Sequence, residues 1–321
     1  MSRSISIVGA PSSIGIRPYD DGAVRRLDLT PAVLREQGLV FRLGARDFGD
    51  VVPPPYRDFV REPGRPRNEE EVAAYTNALA TRVASAAYDE EFVLLLGGDC
   101  SIVLAGLLGM KRLGHERVGL VYVDAHADFA TPDTSYTGSA ASMCLGLAVG
   151  RGDTPLAHLG GGAPLVRSED VVVIGRRDEL EEPLYDEEAL RLSAALDLTH
   201  ATVHEQGPYA TARAAVERVT RRELDGFWIH VDADVLDPSV IPAVDSPEPN
   251  GLMLDELVEV LTPLVRHPRA LGLELTIYDP FLDADRTSAA RLTSLLERVL
   301  SNVHSWKPAV PRPERFAWGC A

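Results

Sequence analysis

Cysteine is scarce in this 321-residue chain: three residues, an odd number, which points away from a disulfide framework and toward a reducing compartment. The N-terminus has no basic stretch leading into an apolar core, and no run of about 18 apolar residues occurs. A soluble, cytoplasmic protein is therefore expected. Positive charge is in deficit. The formal net charge of −16 argues against nucleic acid or an anionic membrane surface as partner, because both select for basic faces. A G-x-G-x-x-G turn, a phosphate loop and a G-x-S-x-G elbow are also missing, which argues against nucleotide-dependent and serine-nucleophile chemistry. No internal repeat or low-complexity linker divides the chain, so residues 1–321 are read as one domain.

What is present is a core and an alternation. Hydrophobic residues make up 45% of the chain, enough for a sizeable interior. Apolar β-rich runs fall at Ser4 to Val8, Phe92 to Leu96 and near 118–123, 171–175, 227–232 and 271–277. Helical spacing falls between them, at 22–38, 69–88, 101–113, 210–222, 254–265 and 287–304, the helix at 101 capped by Ser101. Residues 46–68, rich in Pro, Arg and acidic side chains, read as a surface excursion. The expected fold is α/β: a three-layer, doubly wound, mostly parallel sheet. In such sheets ligands bind outside the carboxyl ends of the strands.

Two acidic stretches lie at such ends. Asp232 and Asp234 follow the run Phe227-Trp228-Ile229, and Asp124-Ala125-His126-Ala127-Asp128 follows Val118 to Val123. On an extended backbone, residues two apart share a side. Like charges gathered at the end of a buried strand are costly unless neutralised, and a divalent cation does this. Either stretch alone also fits a strand running into an Asp-rich turn; the pair favours a metal site. Carboxylate and imidazole together suit Mn, Fe, Co, Ni or Zn better than Ca or Mg.

With Gly97-Gly98-Asp99-Cys100-Ser101, Gly9-Ala10-Pro11-Ser12-Ser13, Ile174-Gly175-Arg176-Arg177-Asp178 and Tyr278-Asp279-Pro280, these stretches resemble the arginase/agmatinase (ureohydrolase) family along most of the chain. The resemblance implies two metal ions, usually manganese. Asp124 and Asp232 would bridge them, with Cys100 and Asp128 completing one site and His126 and Asp234 the other. It further implies hydrolysis of a small guanidino or amidino compound through a bridging hydroxide, and a homo-oligomer, trimer or hexamer. Four carboxylates balance two divalent ions; a Cys100 thiolate would make the sum −1.

Three departures qualify this. Cys100 stands where the family has histidine, which as a thiolate would bring zinc or iron into competition with manganese; a buried thiol that binds nothing is the other reading. Ala141 stands where arginases carry a proton-shuttling histidine, and alanine transfers no proton. Ile277 stands where the family holds the substrate guanidinium with glutamate; Glu274 lies three residues earlier, an odd offset that faces away on a strand.

Asp128 and His230 are candidate catalytic residues; His230, at an even offset from Asp232, would support a metal ligand from behind or shuttle a proton, with a satisfied core histidine as the alternative. Arg177, Asp178, Ser139 and Ile277 are candidate substrate contacts, Arg177 and Asp178 also fitting a surface ion pair. The expected activity is hydrolysis of a C–N bond by an enzyme that is not an ordinary arginase. The alternative is a metal-binding, inactive homologue that serves as an oligomer partner or regulator.

Overall fold

The computed structural model describes residues 3–88, 91–178, 185–301 and 303. Among the described residues, eight strands form one sheet: β1 (Ile5–Gly9), β2 (Arg46–Asp50), β3 (Phe92–Leu96), β4 (Val118–Val123), β5 (Val171–Ile174), β6 (Leu196–Leu198), β7 (Gly226–Asp232) and β8 (Ala270–Thr276). Their order is β2-β1-β3-β8-β7-β4-β5-β6, and every pairing is parallel. The helices are α1 (Thr30–Glu36), α2 (Leu39–Leu43), α3 (Glu69–Ala86), α4 (Val103–Arg112), α5 (Cys144–Ala148), α6 (Tyr185–Leu192), α7 (His200–Gln206), α8 (Pro208–Val219), α9 (Leu254–Val265) and α10 (Thr287–Leu300). None among the described residues is long and apolar enough to cross a membrane.

The inner strands β3, β4, β7 and β8 are buried along their whole length. Helices cover both faces of such a sheet, which is why these strands read as continuous apolar runs. Helix α3 packs on α4, and α8 on α9. Trp228 of β7 shows how tight the packing is: an added Cβ at Gly106 of α4 would lie 2.5 Å from its indole, and one at Gly272 of β8 would lie 2.4 Å away. Both positions must be glycine for the ring to fit.

Several sequence expectations are corrected. Residues 46–50 are the edge strand β2 rather than part of a surface excursion, and β6 is a second strand that was not anticipated. The helix expected over 22–38 starts only at Thr30, and the last helix ends at Leu300. The turn before α4 is capped by Asp99, not Ser101: Asp99 Oδ1 accepts from the Ser101 backbone N–H at 3.1 Å.

The order places β3, β8, β7 and β4 side by side. Their carboxyl ends carry Cys100, Ile277, Asp232 and Asp124, residues far apart in sequence that are delivered to one edge.

Candidate metal centre

The same local device ends three of these strands. Asp124 Oδ1 accepts from the His126 N–H at 2.7 Å, and Asp232 Oδ1 accepts from the Asp234 N–H at 2.9 Å. Asp99 does the same to Ser101. Each aspartate thus stops its strand with a turn closed on the residue two ahead. The sequence reading brought residues i and i+2 together by extended alternation; they converge through turns instead. Gly98 lets the third turn form, because a Cβ there would meet the carbonyl oxygens of Ala10 and Ser12 at 2.7 and 2.8 Å.

Two groups of ligand atoms result. Cys100, Asp124, His230 and Asp232 offer atoms all within 4.8 Å of one another, and so do Asp124, His126 and Asp234. Asp124 belongs to both. His126 Nδ1 lies 3.1 Å from Asp234 Oδ2 and 3.5 Å from Asp124 Oδ1. Asp128, a ligand by resemblance, stands outside both groups. Tyr122 donates to its Oδ2 at 2.6 Å, and its backbone is left-handed at φ 44°.

The residues fit divalent ions. Asp124 Oδ2 and His230 Nε2 are fully buried and have no hydrogen-bond partner, which is rare for buried polar atoms. Burial pushes the Asp232 carboxyl up, and neighbouring Asp234 and Asp124 push it further. Burial likewise raises Asp234. Burial and then Asp124 take Asp128 up to about 8. A cluster in which carboxylates resist ionising is one that a cation stabilises.

A pocket of ≈ 330 Å³ opens on this cluster, lined by Cys100, His126, Asp128, Asp232 and Asp234, with Ala141, Ser139, Asp178 and Ile277 around them. A family model described as the arginase family matches residues 3–300. The chain belongs to the arginase family. The arginase of Bacillus caldovelox is 30% identical over 305 residues, covering 92% of this chain and 97% of that protein. The arginase of Brevibacillus brevis is 30% identical over 311 residues, covering 94% and 99%. The solved structure of the Bacillus caldovelox arginase matches with a TM-score of 0.83 at 28% identity, covering 93% of this chain and 98% of that one. As an arginase-family member the protein is a hydrolase acting on C–N bonds of amidino or guanidino compounds.

The other candidates divide. In this arginase-family pocket Asp178 is on the wall, but its oxygens accept from Arg176 and from the Ala127 N–H, each at 2.8 Å. Ser139 Oγ accepts from the Arg17 N–H at 2.9 Å. Arg177 is not on the wall. Its guanidinium, read as a substrate contact, donates to the carbonyls of Asp234, Val235, Glu248 and Pro249 and so ties two loops together. His230, read as a ligand support or a proton shuttle, lies fully buried beneath the pocket and away from its wall.

Sequence reasoning missed the Arg25–Asp245 ion pair on the pocket wall, and Tyr122 and Cys144, which lie buried behind Asp128. Tyr122 had a signal, its even offset from Asp124. The other residues had none.

Proposed function

We propose that this protein hydrolyses a C–N bond of a small amidino-type molecule whose reacting group carries little positive charge, using two divalent ions held by the two clusters. Ile277 carries the substrate part of this reading: it is apolar, buried and on the pocket wall. Among the described residues, apart from the metal cluster and the Tyr122-bound Asp128, the wall carboxylates are already engaged by cations, and none stands in for the missing glutamate. Asp178 and Asp245 on the wall are already paired with Arg176 and Arg25, and Glu274 is paired with His230.

Cys100, Asp124 and Asp232 would hold one ion, and Asp124, His126 and Asp234 the other. Manganese is the ion the resemblance favours, with zinc or iron favoured by the Cys100 sulfur. When bound, the ions supply Lewis acidity and acidify a water to a nucleophile near neutral pH. The chain itself orients the substrate against Ile277 and keeps water from its apolar side. With Ala141 unable to move a proton, Asp128 is the wall residue suited to hold one at Oδ1 for the leaving nitrogen, its Oδ2 being fixed by Tyr122. A cytoplasmic homo-oligomer is the expected setting.

The test is turnover by the metal-loaded protein on a panel of arginine, agmatine, N-hydroxyguanidines, amidines and amides. Weak or absent turnover of arginine and agmatine, with faster turnover of a weakly basic member, is expected. Arginine or agmatine turnover at rates of about 1–10³ s⁻¹ would overturn the substrate reading.

A further inference from the structure

We infer that His230 is a direct ligand of the ion beside Cys100, with Glu274 as its positioning residue; the inference rests on the metal-dependent reading above. The residue that would compensate for the histidine missing at Cys100 then comes from a different strand.

The sheet register makes this arrangement. Tyr122 of β4 pairs with His230 of β7, and His230 pairs with Glu274 of β8. Residues directly opposite on neighbouring strands share a face, so the three form one row. Asp124 and Asp232 each stand two residues further along, toward the carboxyl edge. The row therefore lies immediately beneath the cluster.

Two contacts fix the imidazole. Its ring stacks on that of Tyr122, with centroids 4.2 Å apart and planes 8° apart. Its Nδ1 lies 2.7 Å from Glu274 Oε1. With a carboxylate as acceptor, Nδ1 carries a proton, and an ion in the cluster would displace the proton of Nε2 and take its lone pair. A carboxylate that orients a histidine from behind is a recurrent support for a metal ligand.

The lone pair has nothing else to meet. His230 Nε2 is buried without a hydrogen-bond partner, and so is Asp124 Oδ2, the atom 3.7 Å away. That gap is longer than a hydrogen bond. It is close to the roughly 3.4 Å that separates two ligand atoms each about 2.1 Å from a tetrahedral ion. Cys100 Sγ and an Asp232 oxygen complete a four-donor set within 4.8 Å. One sulfur, one nitrogen and two oxygens suit zinc, iron or cobalt better than manganese. Asp128, held by Tyr122, is then free of the first ion and available to the substrate.

Cobalt and zinc are the probes, used on the full chain. Wild type is expected to take up two ions and to show a thiolate-to-cobalt charge-transfer band. In His230→Gln the first ion should bind at least 100-fold more weakly and the band should fade, while the second ion stays. Glu274→Gln should weaken the first ion by about 10- to 100-fold with the band retained. No metal uptake by wild type would sink the metal-dependent reading itself. Two ions bound by His230→Gln with wild-type affinity and an unchanged spectrum would overturn only the ligand assignment. Histidine ¹⁵N NMR of the zinc-loaded wild type decides the matter without any variant. One protonated nitrogen and one metal-shifted nitrogen at His230 are expected; two protonated nitrogens, an imidazolium between carboxylates, would overturn it.

Discussion

The thiol of Cys100 donates to Oδ2 of Asp232 at 2.9 Å, both side chains buried, across the carboxyl end of β8, which lies between β3 and β7. Burial, then Asp232 and Asp128, push the thiol well above its ordinary range. Only a cation between the two groups would turn this donor into a thiolate ligand.

Cys100→Ser should therefore keep the fold and change the metal preference. A hydroxyl is a harder and weaker ligand than a thiolate, so the ratio of zinc to manganese affinity should fall on the order of tenfold or more, a change of about 1.4 kcal/mol or greater. Competitive loading followed by elemental analysis measures it. An unchanged ratio would mean that the sulfur only packs.

The metal-free protein should lose stability as pH rises. Asp128 is raised to about 8 by burial and Asp124. His230 is raised to about 9: burial works against this, but Asp124 and Glu274 outweigh it. Asp232 and Asp234 also move up, chiefly by burial. For each group the folded pKa exceeds the unfolded one, so the native state binds more protons than the unfolded chain between about pH 4 and 9. The stability these protons provide is fully present at the acid end of that window and is lost as pH rises through the folded values. Asp124, held low by His126 and His230 against its burial, acts with the opposite sign and only below about pH 4. Thermal melts of chelated protein should show Tm falling from pH 5 to pH 9, with added metal raising Tm most at the alkaline end. A flat or rising profile would contradict the charge balance described here.

Ile277→Glu should create the missing guanidinium partner. A buried ion pair broken at one side costs about 3–5 kcal/mol, so restoring it should raise kcat/KM for arginine or agmatine by about 10²- to 10³-fold. The backbone at 277 sits at φ 65°, a conformation that a β-branched residue rarely adopts, so the exchange removes one source of strain. Steady-state kinetics decides: no gain would show that specificity lies elsewhere on the wall.

Gly272→Ala should destabilise the fold without touching the pocket. The new methyl would lie 2.4 Å from the Trp228 indole and 2.7 Å from the Val93 carbonyl oxygen. Overpacking of this kind costs about 1–3 kcal/mol. Urea denaturation should show the loss, with unchanged metal stoichiometry in the folded protein.

Much of the site was legible along the chain, because each Asp-led turn is a local device. Asp124, Asp232 and Asp99 each close on the residue two ahead, and an apolar run precedes each of them. The six inner and flanking strands were legible for the same reason, since burial makes them continuous apolar runs. The edge strands were not. β2 is Arg-Asp-Phe-Gly-Asp and largely exposed, and its charged residues suit an edge that must not pair further.

The sequence by itself marked Cys100, Asp124, His126, Asp232 and Asp234 as metal-ligand side chains next to strand ends, because that depends on side-chain chemistry and on short-range turns; it placed Asp128 among them and left His230, inside β7, out. Tertiary structure alone decided which ends meet. The order β3-β8-β7-β4 brings Cys100, Ile277, Asp232 and Asp124 to one edge, although up to 177 residues separate them in the chain. Its register, not any local motif, sets Glu274 behind His230 and Tyr122 beside it. A strand buried on both faces has no polar alternation to reveal its facing. Where His230 points is therefore fixed by its neighbours in the sheet, and those are chosen by packing between distant segments.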